Sequence, residues 1–175
     1  MAIVEANTEN SAYALRRKFV DFDQLAEEVR HWNLDLVQLG RGLFQGELLQ
    51  YGTFSENVHV SQARFRQTLL QQGGPPTGLR TIAVPAKEDV SFGWRGYKVT
   101  GRDIAIFPSG SELHATSGSD FHVYTCSFPE ELLAAVCDSM GIDELDVLRG
   151  DAAVVRCHTS AMKSLRDCLS ELSHS

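Results

Sequence analysis

The sequence lacks the excess of positive charge that favours binding to nucleic acid, and it lacks the long apolar runs that span a membrane. Its 16 lysines and arginines are outnumbered by 23 acidic residues, which gives a formal net charge of −7, and such a chain repels a polyphosphate. Residues 1–10 show no basic start followed by an apolar run, so we expect no secretory signal. No stretch approaches the roughly 18 apolar residues of a membrane-spanning helix. These absences predict a soluble, cytoplasmic protein.

The sequence also lacks the patterns that hold a metal ion or carry out a reaction. No two histidines are separated by a single residue, and no cysteines form a Cys-x-x-Cys pair, so neither residue type has the spacing of metal ligands. There is no Gly-x-Ser-x-Gly elbow, no phosphate-binding Gly-x-x-x-x-Gly-Lys loop and no dinucleotide fingerprint. We therefore predict no metal, no cofactor and no enzymatic activity. The cysteines stand in apolar segments and are predicted to be buried, reduced thiols: Cys126, Cys137, Cys157 and Cys168.

What is present is enough apolar material for one domain with a buried core, since 43% of the 175 residues are hydrophobic. Asp23 is positioned to cap a short helix that carries Leu25, Val29 and Trp32 on one face and ends near Asn33. From there to about residue 128, short runs of β-branched and aromatic residues alternate with glycine and proline turns, which is typical of an antiparallel sandwich or barrel. The predicted strands are 34–39, 43–51, 58–65, 79–84, 90–94, 97–99, 104–107, 113–116 and 121–127.

Helical spacing replaces strand alternation after residue 128. Ser127 and Glu130 have the spacing of a capping box, and the helix they begin is predicted to end at Gly141. A second helix begins near Thr159 or Ser160, and its apolar residues recur at intervals of three, four and three. That spacing predicts a helix that packs against a partner helix in a homodimer, although it also fits a helix that packs wholly on its own domain. The stripe consists of Met162, Leu165, Leu169 and Leu172.

These patterns divide the chain into three parts. Residues 1–22 are predicted to be a flexible leader, residues 23–128 a short helix with a β-barrel, and residues 129–175 a helical dimerisation element. Because the helical pattern is still running near residue 175, we expect the natural protein to continue beyond it.

One segment resembles the second conserved motif of the cupin superfamily. Gly101 leads into an apolar strand, Pro108 and Gly110 form a corner, and His114 enters the next strand; in cupins such a corner delivers a histidine to the barrel mouth. The earlier His-x-His with which enzymatic cupins hold a metal is absent. A metal-free, cupin-like barrel followed by two helices, together with the segments 32–40 and 57–64, resembles the N-terminal sensor domain of bacterial AraC-family transcription regulators.

The resemblance implies both a fold and a function. The fold is a mainly β, cupin-like antiparallel barrel with a short helix before it and two helices after it. The function is the binding of a small-molecule effector inside the barrel, which controls a DNA-binding domain with paired helix-turn-helix units expected after residue 175. The candidate ligand contacts are large rings and polar groups on the strands, each ring fitting a place in the core equally well: Gln38, Phe92, Trp94, Tyr97, Phe107, His114, His122 and Tyr124.

Two alternatives stay open at this stage. A stand-alone small cupin enzyme, of the isomerase or dioxygenase type, would need metal ligands that the sequence does not display, and metal analysis of the purified protein distinguishes it. A dimerisation module with a filled barrel would bind no effector. Thermal denaturation in the presence of ligands separates that module from a sensor, because a ligand stabilises the folded state it binds.

Overall fold

The computed structural model describes residues 12–29, 34–142 and 153–172, and these residues form twelve strands and three helices. None of these helices is long and apolar enough to cross a membrane. The helices are α1 (Phe22–Glu28), α2 (Glu130–Ser139) and α3 (Thr159–Leu172). The strands are β1 (Ala12–Phe19), β2 (Asp35–Gln38), β3 (Gly46–Thr53), β4 (Val58–Phe65), β5 (Leu69–Gly73), β6 (Leu79–Pro85), β7 (Phe92–Trp94), β8 (Tyr97–Val99), β9 (Asp103–Phe107), β10 (Leu113–Ser117), β11 (Phe121–Pro129) and β12 (Ala153–Arg156).

The strands form two antiparallel sheets that pack face to face. The larger sheet has the order β1-β3-β4-β11-β6-β9-β12, and the smaller has the order β2-β5-β10-β7-β8. Apolar residues from both inner faces meet in one core, among them Leu48 and Phe65 from the larger sheet and Trp94 and Leu113 from the smaller. The predicted mainly β, antiparallel domain with flanking helices is therefore confirmed.

The chain crosses from one sheet to the other at the corner that the sequence predicts. β9 belongs to the larger sheet and β10 to the smaller. In the turn between them the Ser111 N–H donates to the Pro108 carbonyl oxygen at 3.1 Å, and Gly110 adopts a φ of +73°. Because residues with a Cβ rarely adopt that φ, the glycine permits the crossing.

The structure has three strands that the sequence pattern does not predict, namely β1, β5 and β12. β1 lies inside the segment predicted to be a flexible leader, so that prediction is wrong for residues 12–19. All eight residues of β1 are in register with β3 at the edge of the larger sheet. Main-chain hydrogen bonds therefore fix β1, even though the basic run Arg16, Arg17 and Lys18 interrupts its alternation.

Both predicted helix caps are displaced. Asp21, rather than Asp23, caps α1, and its Oδ1 accepts a hydrogen bond from the Asp23 N–H at 3.0 Å. α2 begins at Glu130 without a side-chain cap, because Ser127 remains in β11 with its hydroxyl 2.7 Å from that of Thr81. α2 ends at Ser139, with Met140 as its C-cap and Gly141 next at a φ of +67°, which agrees with the prediction that Gly141 stops the helix. The predicted helix end near Asn33, with Trp32, lies outside the described residues.

α3 packs against the outer face of the larger sheet. Its Met162 and Leu169 are 1% and 4% exposed, and the Tyr51 hydroxyl donates to the Leu169 carbonyl oxygen at 3.2 Å. These contacts attach α3 to its own domain. The second core that they form contains Val60, Val84, Tyr124, Met162 and Leu169.

This packing changes the interpretation of the predicted dimer stripe. Met162 and Leu169 are inaccessible to a partner, so the choice of these two residues as dimer contacts is corrected in favour of the alternative in which they face their own domain. Leu165 is half-buried and Leu172 is 48% exposed. Dimerisation itself stays a prediction.

The four cysteines are free thiols in different surroundings. Cys137 is buried, and Cys126 and Cys157 are half-buried. The expectation of burial is wrong for Cys168, which is exposed on α3.

Gly52 gives a prediction about the β3–β4 pair. A Cβ at this position would lie 2.1 Å from the Val58 carbonyl oxygen, a backbone atom that cannot turn aside. We expect Gly52→Ala to lower the free energy of unfolding in urea by about 1–3 kcal/mol, the usual cost of overpacking. The matched control is Gly93→Ala, whose nearest neighbour would be 3.8 Å away. Equal stability of the two variants would contradict the close approach.

Candidate functional site

A cavity of about 90 Å³ lies between the two sheets. One water molecule needs roughly 10–15 Å³ of such space, so the cavity has room for several waters or for one small organic molecule. Its wall is mainly apolar, and its aromatic part consists of Phe65, Phe92, Phe107 and Phe121.

Strand alternation directs the lining residues inward. In β11 every second residue, Phe121, Val123 and Thr125, lines the cavity, as expected for side chains that alternate between the faces of a sheet. Space remains between the sheets because several inward positions carry only a methyl group, including Ala83 and Ala115. The cavity therefore follows from small residues at inward positions.

A row of polar side chains crosses the inner face of the larger sheet. Gln50 on β3 is the partner of Ser61 on β4, and Ser61 is the partner of Thr125 on β11. All three line the cavity. The Ser117 hydroxyl also faces the cavity but accepts the Leu69 N–H at 2.9 Å. The polar side chains of the larger sheet therefore lie at one level of the cavity.

The cavity wall is poor in groups for catalysis. Among the described residues that line it, none is a histidine, cysteine or charged residue, and such side chains supply general acids, bases and most nucleophiles. Throughout the described part of the chain, no group of three His, Cys, Asp or Glu side chains is placed to hold a metal ion.

Two of the sequence-predicted ligand contacts, Phe92 and Phe107, line the cavity. Trp94 lies directly behind Phe107, with their ring centroids 4.7 Å apart in an edge-to-face arrangement. It is 1% exposed, and its Nε1–H has no hydrogen-bond partner among the described residues. Trp94 therefore belongs to the core next to the cavity.

Three other predicted contacts lie away from the cavity, which corrects their selection. Tyr97 is 63% exposed. His114 is exposed because β10 alternates and its inward positions are occupied by Leu113 and Ala115. The Gln38 side chain donates to the carbonyl oxygens of Gly40 and Gly42, at 2.8 and 2.9 Å, and so stabilises a loop.

The last two predicted contacts, His122 and Tyr124, are on the outer face of β11. Tyr124 is in the core beneath α3. The Gln62 Nε2 is 2.7 Å from the His122 Nε2 and 3.1 Å from the Tyr124 hydroxyl. Because an amide N–H only donates, the His122 Nε2 accepts and is unprotonated. Both residues are thereby corrected from ligand contacts to parts of an outer-face network.

The charged residues near His122 line a cleft on this outer face. Lys18, Glu47, Arg64 and His122 are successive partners across β1, β3, β4 and β11. Burial of the ring, together with the charges of Arg64 and Lys87 and against the opposing charge of Glu47, lowers the pKa of His122 from 6.5 to about 4. These four charged side chains, Lys18, Glu47, Arg64 and Lys87, thus line the outer cleft and not the cavity between the sheets.

His122 gives a pH-dependence prediction. Its folded pKa is below its ordinary value, so the neutral ring stabilises the fold above pH 6.5, and this stability is lost as the pH falls from 6.5 through about 4. We expect His122→Gln to lose less stability than the wild type between pH 7 and pH 4.5 in urea titrations. His158→Gln, at an exposed position, is the control. Identical pH profiles for the wild type and His122→Gln would refute the prediction.

Sequence reasoning missed most of the residues that form the cavity. Gln50, Ser61, Thr125, Phe65 and Phe121 are not among the predicted contacts, although each stands in a predicted strand. The sequence does not show which residues of each strand face the inside of the barrel. Knowing which residues face inward in one strand would have identified their partners through the register.

The chain is similar to known proteins in its structure but has no match by sequence. No protein-family model matches the sequence, and no curated protein matches it. CuxR, an AraC-like transcriptional activator, superposes with a TM-score of 0.61 over 91% of this chain, at 12% sequence identity. The chain shares its fold with CuxR. This likeness confirms the fold that the AraC-family resemblance implies.

The match to CuxR has a limited extent. This chain spans 60% of the length of CuxR, so the remainder of CuxR has no counterpart in it. Vicilin from Corylus avellana, the hazelnut, also aligns, over 79% of this chain and 51% of vicilin at 9% identity. Its TM-score of 0.34 is too low to carry an argument.

Proposed function

We propose that this chain is the effector-sensing and dimerising part of an AraC-type transcription regulator. A small molecule bound between the two sheets would alter how the chain presents a DNA-binding domain that lies outside the 175 residues. The observation that carries the proposal is the cavity at the centre of a fold shared with the activator CuxR. The role is regulatory rather than enzymatic, and its place of action is the cytoplasm.

The strands between the cavity and α3 provide a physical link for such a signal. Val123 and Thr125 of β11 line the cavity, while Tyr124, between them, belongs to the outer core with Met162 and Leu169 of α3. A shift of β11 caused by a ligand therefore reaches α3 through direct contacts.

A homodimer belongs to the same proposal. Of the predicted stripe, Leu165 and Leu172 retain accessible surface. Two such side chains bury too little area for a stable dimer, which typically needs about 800 Å² per partner. Further surface of the domain must therefore contribute.

The test of effector binding is thermal denaturation of this chain with a library of small molecules. A ligand at about 100 times its dissociation constant is expected to add about 2.7 kcal/mol to the stability. Ala115→Leu extends a side chain into the cavity and is expected to abolish the stabilisation. Ala135→Leu makes the same change at an exposed position of α2 and is the control.

Tryptophan fluorescence provides a second readout. The chain has two tryptophans, and in a Trp32→Phe background the emission comes from Trp94, which contacts Phe107 in the cavity wall. Binding is expected to change this emission in the Ala135→Leu control but not in Ala115→Leu. Failure of every library member to stabilise the wild type more than Ala115→Leu would contradict the proposal.

A further inference from the structure

We infer that the cavity takes an uncharged, largely apolar molecule about the size of a single small ring, with one hydrogen-bonding end directed at Ser61 and Thr125. This inference rests on the proposed function and specifies the chemical class of its effector.

The described residues of the wall disfavour ionised ligands, because they carry no charge. None of the described lining residues carries a formal charge, and an ion taken from water into an apolar site without a partner pays a large desolvation cost. The charged side chains Lys18, Glu47, Arg64 and Lys87 line the outer cleft instead. A carboxylate, phosphate or ammonium ligand would therefore find no counter-charge from these residues inside the barrel.

The scarcity of polar groups excludes strongly hydroxylated ligands. A sugar carries a hydroxyl on nearly every carbon, and each buried hydroxyl without a partner costs free energy. The polar side chains of the described wall are Gln50, Ser61, Gln71, Ser117 and Thr125, and the Ser117 hydroxyl is already bonded to the Leu69 backbone. The lining residues can form hydrogen bonds with one polar end of a ligand, and the rest of the ligand contacts apolar side chains.

The register fixes the orientation of the molecule. The inward positions one step along from the polar row are Leu48, Ala63 and Val123, which are partners across β3, β4 and β11. Beyond them lie Phe65 and Phe121. The hydrogen-bonding end of the ligand thus lies at Ser61 and Thr125, and its apolar body extends toward the two phenylalanines.

The volume limits the size of the molecule. At about 90 Å³, the cavity is smaller than an engineered apolar cavity of about 150 Å³ that binds benzene. A five-membered ring or a chain of about four carbons fits this space.

The experiment compares small probes that differ in charge and polarity: cyclopentanol, cyclopentane, cyclopentylammonium, butyrate and ribose. Dissociation constants are measured by ligand titration at pH 7, and binding in the cavity is defined as binding that Ala115→Leu abolishes. We expect cyclopentanol to bind at least tenfold more tightly than cyclopentylammonium, butyrate and ribose. We also expect Ser61→Ala and Thr125→Val each to weaken the binding of cyclopentanol about three- to tenfold, the usual contribution of one hydrogen bond. Neither variant is expected to change the dissociation constant of cyclopentane.

The control is Thr116→Val, which removes a hydroxyl from an exposed position of β10 and is expected to change no dissociation constant. Tighter binding of butyrate, cyclopentylammonium or ribose in the cavity would overturn the inference and leave the proposed function intact. If the Ser61 and Thr125 variants lost affinity for cyclopentanol and cyclopentane equally, the position assigned to the polar end of the ligand would be wrong. Absence of cavity binding by all five probes would count against both the inference and the proposed function.

Discussion

Replacement of Leu169 by alanine is expected to lower the free energy of unfolding by about 2–5 kcal/mol, the usual cost of truncating a buried leucine. Leu169 is 4% exposed and lies in the outer core against the larger sheet. Its truncation leaves a cavity between α3 and the sheet. Urea denaturation of the two proteins measures the difference.

The control for this variant is Leu172→Ala on the same helix. Leu172 is 48% exposed, so we expect a change within about 0.5 kcal/mol. The experiment also separates the two interpretations of the stripe. If Leu169 packed against a partner helix instead of its own sheet, the stability of the wild type would rise with protein concentration and Leu169→Ala would remove that dependence. A concentration-independent loss supports the packing within one chain.

A strand is easiest to predict from the sequence when one of its faces is buried and the other is exposed to solvent. β10 is an example, because Leu113, Ala115 and Ser117 are buried while His114 and Thr116 are exposed. β1 escaped prediction because an edge strand is held by its main-chain register with β3, and its side chains need not alternate. Pairing between strands distant in sequence is not readable from the local pattern.

The site was harder to predict because β11 is covered on both faces. Phe121, His122, Val123 and Tyr124 are all buried, since the cavity lies on one side and the outer-face cleft and α3 core on the other. A strand buried on both faces offers no contrast between polar and apolar residues. The choice of His122 and Tyr124 over Phe121 and Val123 therefore selected the wrong face of the right strand.

The α3 stripe shows the same limit in a helix. The spacing of Met162, Leu165 and Leu169 requires that something apolar cover one side of α3. It is silent on whether the covering surface belongs to the same chain. The structure supplies the larger sheet as that surface for Met162 and Leu169.

Replacement of Phe121 by alanine is expected to lower the free energy of unfolding by about 3–5 kcal/mol. Phe121 is 6% exposed and lies in the aromatic wall of the cavity, where it contacts two other phenylalanines. Its ring stacks on Phe65 with centroids 5.9 Å apart and meets Phe92 edge-to-face at 5.6 Å. Truncation therefore removes two aromatic contacts and joins the vacated space to the existing cavity.

The matched control is Phe54→Ala, because the Phe54 ring is 65% exposed and contacts Tyr13 with centroids 4.9 Å apart. We expect this variant to cost at most about 1.5 kcal/mol, the upper value for one aromatic pair. The enlarged cavity of Phe121→Ala provides a further check, since benzene is expected to stabilise this variant more than the wild type as a ligand of its folded state. Equal losses of stability in the two variants would contradict the packing of Phe121 in the cavity wall, and no added stabilisation by benzene would show that its truncation does not enlarge the cavity.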